Sequence, residues 1–194
     1  MPLIYLVRHG QTDWNASERL QGQEDTGLNS IGREQAARNG ETLKHLITDA
    51  AQFDFVASPL KRTRQTMEII RHEMELAPGG YWTDPLLMEI HFGEWQGATW
   101  DELSAVNPKA IASRFEDPWN TIAPGTGGES YAMLSRRALK WLDSVHQDTV
   151  VVTHGGINRC IRGALENLGE EEIPFLAVPQ DKVLVIDNGA TSWV

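Results

Sequence analysis

Cysteine is almost missing from this chain. Cys160 stands alone among 194 residues, so no intrachain disulfide can form and a reducing compartment is expected. No apolar run approaches the ~20 residues that a bilayer-spanning helix requires. The opening Met1-Pro2-Leu3-Ile4-Tyr5-Leu6-Val7 lacks a basic flank and meets Arg8 too soon for a signal peptide. Basic residues are in the minority, 17 Lys+Arg against 27 Asp+Glu, for a net charge of −10. Nucleic acid and anionic membrane both demand a basic footprint, so neither is expected as a partner. A cytoplasmic protein acting on a small molecule fits these absences. Internal repeats, low-complexity tracts, paired-cysteine metal spacings and a G-x-S-x-G nucleophile elbow are also missing. The loop Gly125-Thr126-Gly127-Gly128 lacks the Lys of a nucleotide P-loop.

What is present is an alternation of short apolar runs with helical periodicity. Leu3 to Val7 is almost entirely apolar, as a buried parallel strand should be. A helix is predicted from about Ile31 to Ile47, capped by Asn29 or Ser30, with Ile31, Ala36, Leu43, Leu46 and Ile47 as its inner stripe. Phe53 to Ala57 reads as a second strand, and Leu60 to Glu75 as a helix marked by Met67, Ile70 and Met74. The stretch from Glu89 to Glu129 is irregular and rich in tryptophan. Ser130 to Val145 is helical again, Thr149 to Thr153 is a third buried strand, and a helix follows to about Leu168. Val183 to Ile186 is the last expected strand. The pattern predicts an α/β three-layer sandwich, its central, largely parallel sheet flanked by helices. One domain over 1–194 is expected, with residues about 90–130 capping its site.

In such sheets ligands bind beyond the carboxyl ends of the strands. The first apolar run ends in Arg8-His9-Gly10, the second in Ser58-Pro59-Leu60-Lys61-Arg62, and the third in His154-Gly155-Gly156. Parallel neighbours would bring two arginines and two histidines to one edge. Arg62 and the Gly155-Gly156 pair fall where helices start, and helix N-termini favour anions. An anion site follows, with phosphate as the expected occupant. A neutral imidazole at His9 is a competent nucleophile toward phosphorus. Arg8 and Arg62 offer forked donors to the oxygens that gather charge in the transition state. His154 adds a donor, expected as imidazolium. An acid must still protonate the leaving alkoxide. Glu89, after an apolar stretch, is the chosen candidate, although spacing alone does not separate it from the other 26 acids.

Leu6-Val7-Arg8-His9-Gly10-Gln11-Thr12-Asp13-Trp14-Asn15 closely resembles the signature of the histidine phosphatase superfamily, the phosphoglycerate-mutase-like family. Further blocks are similar and in order: Arg19 to Gly22, Gly27 to Ala36, Ser58 to Thr66, Glu89 to Gly97, Gly128 to Ser130, and Thr153 to Gly156. The resemblance implies His9 as the phosphorylated residue and Glu89 as acid and base. It places Arg8, Arg62 and His154 on the phosphate, and Asn15, Gln21 and Gly155 on the substrate. It implies no metal and no organic cofactor. A small phosphorylated metabolite is the expected partner, and a homodimer stays open.

A phosphomonoesterase working through phosphohistidine is the leading expectation. A cofactor-dependent phosphoglycerate mutase must hold a second anionic end of its substrate. Between Ile90 and Ser130 the only basic residues are Lys109 and Arg114. Family mutases carry Arg directly after the acid and Tyr two positions later, where this chain has Ile90 and Phe92. A non-catalytic phosphate-binding domain is the remaining alternative, and it should have lost His9 or Glu89. The bland readings are a surface histidine at position 9, solvated cations at Lys61 and Arg64, tryptophans spent in the core, and Asn15 and Gln21 as loop formers.

Overall fold

The computed structural model describes residues 1–194. Strands β1 (Ile4–Arg8), β2 (Asp54–Ala57) and β4 (Thr149–Thr153) are joined by β3 (Trp82–Thr83), β5 (Val183–Asp187) and β6 (Ala190–Trp193) in one six-stranded sheet. Its order is β3-β2-β4-β1-β5-β6. β1 runs parallel to β4, and β2 parallel to both β4 and β3. β5 and β6 add an antiparallel edge. The sheet is therefore parallel at its centre and mixed overall. The three strands expected to share an edge are adjacent. Residue pairing places Arg8 opposite Thr153 and Ala57 opposite Val152, so their C-terminal tips are level.

Alternation along these strands builds two cores. Ile4, Leu6, Val56, Val151 and Leu184 face helices α6 (Tyr131–Asp143) and α7 (Gly155–Leu165), with Leu134, Trp141, Ile157 and Ile161 opposite. Tyr5, Val7, Phe55, Val150 and Val152 face the other way, toward α2 (Ser30–Leu46) and α3 (Lys61–Glu73). Both faces being covered explains the nearly continuous apolar runs of β1 and β4. Each fully buried Leu or Ile contributes roughly 1.5–3 kcal/mol relative to exposure.

The inner stripe of α2 differs from the predicted one. Ile31 and Leu46 are 49% and 41% exposed, and the buried face is Gly32, Ala36, Asn39, Gly40 and Leu43. Glycine lets α2 come close to its neighbours. A β-carbon on Gly32 would lie 2.0 Å from the Gln11 carbonyl oxygen, and one on Gly40 2.8 Å from Cβ of Glu73. A hydrophobicity pattern cannot register a face chosen for small size. The final strand β6 was also not anticipated, because its Ala-Thr-Ser-Trp sequence carries no apolar run.

Between β3 and α6 the chain is mostly irregular. It contains short 3-10 turns at 85–87 and 93–95 and two short helices, α4 (Trp100–Val106) and α5 (Pro108–Glu116). A small separate cluster of Trp95, Ile111 and Ala123 holds this segment together. One further short helix, α1 (Asp13–Ala16), follows β1 and is closed by a capping box between Thr12 and Asn15. No helix is long and apolar enough to cross a membrane.

Candidate active site

The tips of β1, β4 and β2 bring His9, His154 and Arg62 together, as the alternation of strands and helices required. His9 is 2% exposed and continues the ladder of β1, its N–H donating to the Thr153 carbonyl at 2.9 Å. Nδ1 lies 2.7 Å from the Gly10 carbonyl oxygen. A carbonyl only accepts, so Nδ1 carries the proton and Nε2 keeps its lone pair. Arg62 Nε donates to that Nε2 at 3.3 Å. Burial, then the nearby charges of Arg62 and Arg8, hold the His9 pKa well below its ordinary 6.5. The imidazole is therefore neutral at neutral pH, the state a nucleophile needs.

Arg62 is fully buried, second in α3, and its guanidinium is aimed by loop carbonyls: Nη1 donates to Glu24 at 2.7 Å and Nη2 to Gly22 at 2.7 Å. Arg8 donates through Nη1 to the Val178 carbonyl at 2.8 Å, while its buried Nε has no partner at all. A buried charged donor left unpaired is costly, and an anion's oxygen would satisfy it. Burial lowers the pKa of both arginines to about 10. They remain cations at neutral pH.

His154 lies behind the nucleophile, its ring centroid 5.1 Å from that of His9. Burial and the surrounding arginines hold its pKa well below 6.5, so it is neutral and not the expected imidazolium. Its Nε2 is 2.8 Å from the Ser58 hydroxyl, whose oxygen already accepts the Leu60 N–H, and its Nδ1 is buried without a partner. If the Ser58 hydroxyl donates to Nε2, the neutral ring presents Nδ1–H as its free donor.

In the first turn of each helix, α3 and α7, one N–H group is taken by a protein carboxylate. Gly156 N–H donates to Glu89 at 3.1 Å, and Lys61 N–H donates to Asp25. Gly155 is buried beside the site rather than lining it. A β-carbon there would make only ordinary contacts, 3.6 Å from Arg8 Nε and 3.5 Å from Arg159 Nη1. Of the pair, Gly156 is the one that lines the cavity. Asn15 and Gln21 also line it. Their side-chain oxygens are committed within the loop, to Thr12 in both cases, which leaves their NH₂ ends for a ligand. Both residues thus belong to the loop and to the cavity wall. His91 does not line the cavity; its Nδ1 accepts the Gly93 N–H.

The cavity, about 300 Å³, has Glu89 on its wall, carrying the only carboxylate among its lining residues. Oε1 accepts the Ile90 and Gly156 N–H groups at 2.9 and 3.1 Å. Arg19, Arg114 and Arg159 line the same cavity, together with Phe92, Trp100 and Phe115. The expected scarcity of extra cations is thus overturned, since two of these three arginines come from outside residues 90–130. Arg19 stood in a family-like block without a role assigned to it, and no sequence signal separated Arg159 from a solvated helix cation.

Two arginines, a neutral imidazole aimed by a carbonyl and a carboxylate across one cavity define a site for phosphoryl transfer. The chain belongs to the histidine phosphatase superfamily (branch 1), whose family model matches residues 4–194. It is 36% identical over 163 residues to a metal-independent phosphoserine phosphatase of Arabidopsis thaliana, covering 81% of this chain and 66% of that one. It is 34% identical over 204 residues to a glucosyl-3-phosphoglycerate phosphatase of Mycolicibacterium vanbaalenii, covering 98% and 82%. A probable phosphoglycerate mutase of Erwinia tasmaniensis is also 34% identical, over 78% of this chain and 69% of its own. Among solved structures, a mycobacterial glucosyl-3-phosphoglycerate phosphatase superposes with a TM-score of 0.78 at 28% identity, covering 100% and 96%. Two of these relatives are named for the hydrolysis of phosphate esters and one as a mutase.

Proposed function

We propose that the chain hydrolyses phosphomonoesters through a phosphohistidine at His9, with Glu89 as general acid and then base. His9 Nε2 attacks phosphorus, the P–O bond to the alcohol breaks, and Glu89 gives its proton to the departing oxygen. Glu89 then takes a proton from water as that water attacks the phosphohistidine, which releases phosphate and restores neutral His9. Arg8 and Arg62 grip the equatorial oxygens, His154 supplies Nδ1–H, and the amides of Asn15 and Gln21 complete the cradle. Residues about 90–130 act as a cap that meets the alcohol. The observation that carries this reading is the neutral, Nδ1-protonated His9 beside a buried guanidinium with an unsatisfied N–H.

The alcohol carries a second anionic group. Arg19 is neutralised by a fork to Glu102, whereas Arg114 and Arg159 have no carboxylate partner. Arg159 reaches the Tyr131 hydroxyl at 3.3 Å, and Arg114 stacks over the same ring at 5.6 Å. Phosphoserine and glucosyl-3-phosphoglycerate, the esters in two relatives' names, each bear a carboxylate. A phosphoglycerate mutase would use the same cations, but Ile90 and Phe92 stand where mutases of the family carry Arg and Tyr.

p-Nitrophenyl phosphate hydrolysis in excess chelator, with His9→Ala alongside, tests the reading. The variant should lose at least about 10³-fold in kcat/KM, and quenching in alkaline denaturant, where the acid-labile phosphohistidine survives, should trap phosphate on the native protein only. Full activity in His9→Ala, or its loss with chelator in the native enzyme, refutes it.

A further inference from the structure

Glu89 sits on chain with no regular structure. The 3-10 turn 85–87 ends just before it, the next begins at Gly93, and no strand or helix includes residues 88–92. Its carboxylate accepts the Ile90 and Gly156 N–H groups, but the backbone that carries it must be fixed from elsewhere. Gln23 Nε2 donates to the Glu89 carbonyl at 3.0 Å, and the side chain that reaches several groups of this stretch at once is Arg137, from the middle of α6.

Arg137 Nη1 donates to the Leu86 carbonyl at 2.9 Å and to the Met88 carbonyl, and Nη2 donates to the carbonyl of Glu89 itself at 2.8 Å. On its other edge, Nε and Nη2 fork onto the two carboxylate oxygens of Glu129, each at 2.9 Å. Glu129 in turn accepts the His91 N–H at 2.9 Å, and its own N–H donates to the His91 carbonyl at 2.9 Å. The pair therefore holds backbone groups on both sides of the acid. Both side chains are largely withdrawn from water, at 17% and 14% exposure. Desolvated ion pairs are weak net stabilisers compared with apolar packing. Their distinctive capacity is geometric, because a planar guanidinium can serve three carbonyls and a carboxylate at once and an ammonium cannot.

We propose that Arg137, locked by Glu129, is a positioning residue for the general acid: it sets the reach of Glu89 toward the leaving oxygen without touching substrate. This rests on the reading of Glu89 as the acid. A displacement of about 1 Å at a reacting group can cost on the order of 10²-fold in rate, and that cost should fall on the proton transfer alone.

The test compares kcat/KM for p-nitrophenyl phosphate, whose leaving group needs little protonation, with that for glycerol 2-phosphate, whose alkoxide needs a proton. Arg137→Met should lose about 10–100-fold on the alkyl ester and under about threefold on the aryl ester. Arg137→Lys should recover part of the alkyl activity, and inhibition by inorganic phosphate should keep its constant in both variants. Glu89→Gln is measured beside them. If Glu89→Gln shows the leaving-group bias and neither Arg137 variant does, the positioning role is wrong and the acid assignment stands. If Glu89→Gln shows no bias, both fail together. Equal losses on the two esters, or weakened phosphate binding, would mean that Arg137 merely supports the fold.

Discussion

The arginines and histidines proposed to grip the phosphoryl group stand at strand tips or in the helix turn that follows, whereas the wall proposed to meet the alcohol is carried mainly by the segment of short helices and irregular chain between Glu89 and Pro118, with Arg159 of α7 beside it. The first region is fixed by ladder hydrogen bonds: His9 N–H donates to Thr153, and Ser58 N–H to Val152 at 3.0 Å. The second is tied down side chain by side chain, through Arg137, Glu129 and the Trp95 cluster. Rigid backbone suits the part of the reaction common to all phosphate esters. Segments built from side-chain ties can be exchanged without disturbing the sheet, and that is where choice of substrate belongs.

The largest way to break this division is to join the two regions by a clash. A β-carbon on Gly156 would lie 2.4 Å from Glu89 Oε1 and 2.7 Å from Leu134 Cδ2. Gly156→Ala should displace the acid and lower kcat/KM on alkyl esters by on the order of 10²-fold. The loss should exceed that on p-nitrophenyl phosphate, and similar losses on both would count against separate regions. A smaller effect should come from the alcohol wall. Arg159→Gln should cost about tenfold in kcat/KM for 3-phosphoglycerate and under about twofold for glycerol 3-phosphate, which differ only in the carboxylate. Equal losses would move Arg159 to the phosphoryl grip.

The smallest expected effect is on stability and belongs to the strand tips alone. His9 and His154 are held neutral, each with its pKa depressed from 6.5. Below pH 6.5 the unfolded chain binds protons that the folded chain refuses, so stability falls as pH falls from there toward the depressed folded values. Each histidine contributes up to about 1.4 kcal/mol per pH unit in that window. Denaturant titrations between pH 7 and pH 5 should show the slope, and His154→Gln should flatten it. A slope unchanged in that variant would mean that His154 is charged in the folded state.

How much of this could be read from the chain follows the same division. Apolar runs ending in Arg8-His9, Ser58 and His154 disclosed the edge because strands buried on both faces leave continuous apolar runs and the chemistry follows them directly. Glu89 emerged only through its block, since an isolated carboxylate in an irregular segment has no periodic context. Arg159 and Arg137 were illegible. Both occupy ordinary helical positions, and their partners, the Leu176 carbonyl for one and Glu129 with three carbonyls for the other, are set by packing. Ser58 was quoted for its neighbours, although its own hydroxyl holds His154. The charge of His154 was misjudged because desolvation depends on depth, which sequence does not encode.

β1 lies inside the sheet, with β4 on one side and β5 on the other. Amides on such a strand exchange with solvent only when the whole domain opens. His9 follows directly on that strand, while Glu89 lies outside the ladder, on chain anchored by the buried Leu87 and Ile90 and by the ties to Arg137, so its release does not require the sheet to part. Warming or mild denaturant should therefore disconnect the proton donor while the phosphate cradle is still assembled. In that interval the protein would go on binding phosphate and cleaving activated aryl esters while its ability to hydrolyse alkyl esters faded.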